Sequence, residues 1–208
     1  MTRTLRLMLG GALLLVCAAL PALAQSNARG DAGLCVGGAP NAPIKIEVFS
    51  DFQCPACRTF YLETIRPVLA DYASANKVCV VYREFPLRNH QHSRKAARYA
   101  TAARRVGVWQ WVQVTDRLYL DQSRWSQDGT VEATVARALT PEDLKRVEAL
   151  LGDSAINAEI ERDLALGRRQ GVRSTPTFFI TAQGKTERIT GIVQYSILRR
   201  YLDSRLGQ

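Results

Sequence analysis

Cys54-Pro55-Ala56-Cys57 stands between an apolar run, Ile44-Lys45-Ile46-Glu47-Val48-Phe49, and a stretch with apolar residues at Tyr61, Ile65, Val68, Leu69 and Tyr72. The first run reads as a buried strand over about 44–50, and the second has the spacing of one helical face. Pro55 suits the first helical position, where a missing N–H leaves nothing unpaired. Pro67, deep inside the same stretch, cannot donate to residue 63 and is expected to kink the helix. Two thiols two residues apart at a strand-to-helix junction form a redox device. The helix N-terminus favours one thiolate, and the spacing lets the second thiol reach it.

The compartment decides what such a pair means. Residues 1–24 carry Arg3 and Arg6, an apolar run from Leu7 to Leu20, and the ending Ala22-Leu23-Ala24. That is the pattern of a secretory leader with cleavage near Ala24/Gln25, and its apolar part, about 14 residues, is short for a bilayer span of roughly 20. Cys17 lies within the leader, behind Val16, and leaves with it. The mature chain then holds Cys35, Cys54, Cys57 and Cys79 in an oxidising compartment, the periplasm or another extracytoplasmic space. Four cysteines allow three pairings. The favoured set is Cys54–Cys57 as the redox-active disulfide and Cys35–Cys79 as a structural bridge. Closing a loop of about 45 residues is worth roughly 4 kcal/mol on the chain-entropy model. Alternatively, Cys79 is a small buried hydrophobe and Cys35 a free thiol.

The formal net charge is +9, and removal of Arg3 and Arg6 leaves +7. The basic residues are scattered and have no interleaved aromatic run, so a solvated basic surface is expected and no nucleic acid. Zinc would require a second cysteine pair or nearby histidines. The two histidines, His90 and His92, read as surface-turn residues, so no metal and no cofactor is expected.

Residues 25–43 read as an irregular lead-in. A second strand follows over 78–85, then helices over about 92–107, 109–120, 131–139, 141–151 and 155–171. Thr177–Ile180 and Glu187–Thr190 flank a Gln183-Gly184 turn and read as a hairpin, and a helix over 196–206 closes the chain. The predicted class is α/β, with a mixed central sheet and an inserted helical cap. The expected division is 1–24 leader, 44–89 with 172–208 as the sheet domain, and 90–171 as the insertion. Trp109, Trp111 and Trp125 are expected to be core or groove residues, and Arg58 a solvated surface arginine.

Phe49-Ser50-Asp51-Phe52-Gln53-Cys54-Pro55-Ala56-Cys57, with Gly171-Val172-Arg173-Ser174-Thr175-Pro176-Thr177-Phe178-Phe179, resembles the DsbA-like branch of the thioredoxin superfamily. The resemblance spans about residues 40–206 and implies a thioredoxin-like fold. It implies that Cys54 is the exposed nucleophile and Cys57 the shielded resolving thiol. Pro176 is expected to follow a cis bond and, with Thr175, to face the sulfurs and offer backbone to an extended substrate. The function so implied is a thiol:disulfide oxidoreductase that oxidises thiols of unfolded exported polypeptides. It would be reoxidised by a membrane quinone-linked thiol oxidase, DsbB-like or VKOR-like, and act as a monomer. The alternatives are a periplasmic disulfide reductase or isomerase, and a non-enzymatic chaperone or metal-delivery module.

Family members of this kind often carry a buried Glu six residues before the first cysteine. Here that position is Val48, and Glu47 is one residue earlier, on the other strand face. Either a bulge recovers Glu47, or Asp51 or water serves instead. Ala56 supplies neither the charge nor the donor of the histidine in DsbA, so a weaker oxidant is expected.

Overall fold

The computed structural model describes residues 35–207 of the chain. The leader, its cleavage site and Cys17 lie outside the described residues. Strand β1 (Cys35–Gly37) is followed by β2 (Ile44–Ser50), a long helix α1 over 55–73, and β3 (Val78–Glu84). Six helices come next: α2 (Ser93–Val106), α3 (Val108–Leu120), α4 (Gln122–Asp128), α5 (Val131–Ala136), α6 (Pro141–Leu150) and α7 (Ser154–Arg169). Strands β4 (Thr177–Ala182) and β5 (Lys185–Thr190) and helix α8 (Tyr195–Leu206) complete the fold.

The sheet order is β1-β3-β2-β4-β5. β2 and β3 run parallel, as the intervening helix requires, and the other neighbours are antiparallel. Part of the segment read as irregular is therefore strand. Three residues ending in Gly37 carry no periodicity that would show it, and a disulfide from Cys35 to Cys79 ties β1 to β3. Pro67 does not break α1. It sits in a short α turn, Arg66–Val68, between two wide π turns, Tyr61–Ile65 and Leu69–Ala73. The i→i−5 bonds, such as Arg66 N–H to Tyr61 O, keep the helix continuous where the proline N–H is missing.

Alternation along the strands sends two sets of side chains to opposite faces. On one face Val48 and Phe178 lie under α1, and Phe178 stacks on Phe60 with ring centroids 4.7 Å apart. On the other, Phe49 meets Phe85 and Phe179 edge-on. Gly167 of α7 packs there, where a Cβ would come within 2.5 Å of the Phe85 ring. The helical block meets α1 and the sheet through Phe52, Tyr61, Tyr82, Trp111 and Tyr119, whose centroids are 5.0–6.3 Å apart. Trp111 and Trp125 are buried, whereas Trp109 is 67% exposed and lies outside the core.

The strand faces settle the position of Glu47. The β2 register against β3 and β4 runs without a bulge, so Glu47 stays on the α7 face. There Arg83 Nε donates to it at 2.8 Å, and Arg83 Nη1 donates to Asp163 at 3.1 Å.

The Cys35–Cys79 bridge spans 44 residues, including β2, α1 and the start of β3. Replacing both cysteines with alanine is expected to cost about 2–5 kcal/mol. Urea unfolding with Cys54 and Cys57 intact measures this, and a loss under 0.5 kcal/mol would remove the bridge from the stability account.

Candidate active site

The end of β2 delivers the chain to the first turn of α1. Cys54 is the N-cap, with extended backbone and no side-chain cap on the helix, and Pro55 follows at the first turn. The helix N–H groups that would bind a capping oxygen are thus free to face sulfur. Asp51 O accepts from Cys54 N–H at 3.1 Å and fixes the approach. From α4, Gln122 Nε2 donates to Phe52 O at 2.7 Å and to Cys54 O at 3.0 Å.

Cys54 and Cys57 are both thiols in this structure. Cys54 is 8% exposed and Cys57 fully buried. Cys54, expected to be the exposed nucleophile, is thus far less open than that expectation, because the loop before β4 closes over it. In that loop Thr175–Pro176 is a cis peptide bond, and Thr175 O accepts from Cys54 Sγ at 3.4 Å. Pro176 O in turn accepts from Gly191 N–H at 2.8 Å. The fold brings Cys54, Cys57, Thr175 and Pro176 together, while Cys35 and Cys79 stay at the β1–β3 edge.

The two thiols differ sharply. A hydrogen bond from Cys57, helped by Thr175 and by the N–H groups of Ala56 and Cys57, brings the Cys54 pKa down to about 5 against the opposing effect of burial. Burial first, and then Cys54 itself, push Cys57 well above the ordinary thiol range. The pair is a thiol inclined to ionise, Cys54, beside one held protonated, Cys57.

The Asp51 side chain is taken up by four partners other than the sulfurs. Its buried carboxylate accepts from Gln53 N–H, Leu87 N–H, His90 Nδ1 and Ser93 Oγ at 2.5–2.8 Å. Its own N–H donates to Cys57 Sγ at 3.4 Å. His90 is therefore anchored to the site rather than being a free surface residue. Arg58 is half-buried and donates to Tyr119 O at 2.9 Å, so it joins α1 to α3 instead of lying in solvent. Sequence reasoning gave no role to Gln122, Tyr82 or Tyr119. Gln122 lies in Gln122-Ser-Arg-Trp-Ser-Gln-Asp128, which has no apolar period to mark it.

The thioredoxin family model matches residues 32–203. The chain belongs to the thioredoxin family. A probable disulfide bond formation protein D from Bacillus cereus is 22% identical over 147 residues, covering 69% of this chain and 68% of that protein. A thioredoxin-like oxidoreductase of Silicibacter pomeroyi superposes with a TM-score of 0.61 and 26% identity, over 81% of this chain and 90% of that one. Oxidised BdbD of Bacillus subtilis superposes with a TM-score of 0.68 and 18% identity, over 86% and 95%. This thioredoxin-family chain thus shares its mixed five-strand sheet and helical insertion with DsbA structures.

The low Cys54 pKa has a signed consequence. A group whose folded pKa is about 5 and whose ordinary value is 9.0 stabilises the fold fully above pH 9, and the gain is lost as pH falls through 5. The reduced protein should gain stability over a Cys54→Ser variant between pH 5 and 9, by at most about 1.4 kcal/mol per pH unit. Cys57, shifted upward, lowers stability only as pH approaches and passes 9.0, and both proteins carry it. Urea midpoints of both proteins across the range test this, and parallel curves would refute the assignment of the thiolate to Cys54.

Proposed function

We propose that this protein is an exported thiol:disulfide oxidoreductase that gives its Cys54–Cys57 disulfide to thiol-bearing, unfolded exported polypeptides. The observation that carries the reading is the divergence of the two thiols within one helical turn. Cys54 is pulled down to about 5 while Cys57 is pushed up. The relatives named for disulfide bond formation support it.

In the forward reaction a substrate thiolate attacks Cys54 of the disulfide. A substrate–Cys54 bond forms, and Cys57 leaves as a thiolate. A second substrate thiol then attacks its partner sulfur, closes the substrate disulfide and expels Cys54 as a thiolate. One of the two substrate protons ends on Cys57 and the other goes to solvent. A stable Cys54 thiolate is a good leaving group, which drives the exchange toward donation. The exposed apolar side chains of Leu120 and Ile192 suit an unfolded chain. Leu120 follows Tyr119, which holds Arg58, and Ile192 follows Gly191, which holds Pro176.

Electrons left on the dithiol must pass to a second partner, for which a membrane quinone-linked thiol oxidase, DsbB-like or VKOR-like, fits an exported protein. The leader over 1–24 supports the periplasm or another extracytoplasmic space as the site of action.

Cys54 at about 5 lies between the nucleophile of DsbA, about 3.5, and that of thioredoxin, about 7. The reduction potential should therefore fall between roughly −270 and −120 mV. Equilibration with glutathione measures it, and a value as reducing as thioredoxin's would overturn the oxidant reading. Cys57→Ala should trap a substrate on Cys54, and Cys54→Ser should abolish both trapping and exchange.

A further inference from the structure

Beneath the cysteines lies a polar cluster that the exchange described above does not use. Tyr82 Oη on β3 donates to Ser50 Oγ on β2 at 2.7 Å. Tyr119 Oη on α3 lies 2.9 Å from Ser50 Oγ and 2.6 Å from Tyr82 Oη. All three side chains are at most 2% exposed. Ser50 immediately precedes Asp51, whose N–H donates to Cys57 Sγ at 3.4 Å, and the Ser50 hydroxyl acts to lower the Cys57 pKa against burial.

Three hydroxyls in a triangle carry three protons, and each can donate to its neighbour with none left over. A second arrangement is equally complete. Ser50 turns its one proton onto Cys57, still accepts from Tyr82, and Tyr119 donates to Ser50 or Tyr82. No buried donor is orphaned in either state, so the rotation is cheap. The cluster can thus present or withdraw a donor as the sulfur changes.

During exchange Cys57 passes through disulfide, thiolate and thiol. Only the thiolate is a buried charge, and it needs donors. The groups that face it are Cys54 from α1, Asp51 N–H and Ser50 from the end of β2, Thr175 from the loop before β4, and Tyr82 and Tyr119. The Asp51 carboxylate is fully engaged elsewhere, and Glu47 lies across the sheet with Arg83. Glu84, two residues beyond Tyr82, is buried with neither carboxyl oxygen hydrogen-bonded, and burial pushes its pKa well above the usual carboxylate range. Burial pushes both phenols well above the tyrosine range, so they remain donors and do not take the Cys57 proton.

We propose that Ser50 is a catalytic hydrogen-bond donor to the Cys57 sulfur, and that Tyr82 and Tyr119 are positioning residues that hold it, in place of a buried carboxylate. The role rests on the exchange reading, in which Cys57 is leaving group in one direction and attacking thiolate in the other. When Cys57 attacks a Cys54 mixed disulfide, the Cys54–Cys57 bond forms, the Cys54–substrate bond breaks and the departing thiolate takes up a proton. The Cys57 proton goes to solvent, and the cluster keeps its three.

The test uses the full mature chain carrying glutathione on Cys54. Glutathione release by Cys57 at pH 7 should be about tenfold slower in Ser50→Ala, as expected for one lost hydrogen bond to a charged group. Tyr82→Phe and Tyr119→Phe, which keep the ring, should slow it less and in the same direction. The Cys57 Cβ chemical shift in a Cys54→Ala background, followed against pH, separates this from mere loosening. Loss of a donor raises the Cys57 midpoint, whereas loosening admits water and lowers it. Release within twofold of wild type in all three variants, or a lowered midpoint, overturns the proposal. If Ser50→Ala fails to fold, the two tyrosine variants decide it. A wild type that never releases glutathione would instead overturn the exchange reading.

Discussion

The buried Asp51 carboxylate joins three parts of the chain. It accepts from the loop that leads to the cysteines (Gln53), from the exit of β3 (Leu87 and His90) and from the first residue of α2 (Ser93). A carboxylate withdrawn from water is tolerable only with such full satisfaction. The same residue sends its N–H to Cys57 and its carbonyl to the Cys54 N–H. The position of both sulfurs therefore depends on where β3 hands over to the helical block. Removing the carboxylate would strand two backbone donors and an imidazole at one place, and the geometry of the thiols would go with them.

On that anchored segment two identical side chains acquire opposite character. Cys54 caps a helix whose first N–H groups have no other capping acceptor, and it lies against Thr175 of the loop before β4. Cys57, one turn later, points into the interior between sheet and helix. Helix ends favour an anion and apolar interiors oppose one, so the local fold already pushes the two thiols apart. Ala56 adds no charge and no donor, which leaves the backbone, Cys57 and Thr175 as the sources of the shift.

Much of this was legible in the sequence, and the missing parts share a cause. The mixed sheet, the hairpin at Gln183-Gly184, the Cys54/Cys57 junction and the adjacent Thr175-Pro176 follow from patterns a few residues long. The pattern could also say that Glu47 would face away from the cysteines, since a strand alternates strictly unless it bulges. It could not say what takes the vacated place. Ser50, Tyr82 and Tyr119 meet across 32, 37 and 69 positions. Each alone reads as an ordinary strand or helix residue. β1 and α4 escaped notice because three residues and a polar heptad carry no period. The bond from His90 to Asp51 crosses 39 positions, so a surface turn was the natural reading of that histidine.

The helical block is consequently part of the site's chemistry. Tyr119 reaches beneath Cys57, its carbonyl receives Arg58 of α1, and Gln122 holds the carbonyls of Phe52 and Cys54. Both residues stand at the α3–α4 corner, so a shift of that corner moves the loop above the sulfurs and the hydroxyl below them together. Aromatic packing of Tyr119 on Phe52 and Tyr61, with centroids 5.0 Å apart in both pairs, stiffens the same corner. A plain crossover between β3 and β4 could close the sheet, but it would leave Ser50 and Tyr82 without their third partner. The insertion is thus required by the polar groups under Cys57 as well as by the surface above Cys54.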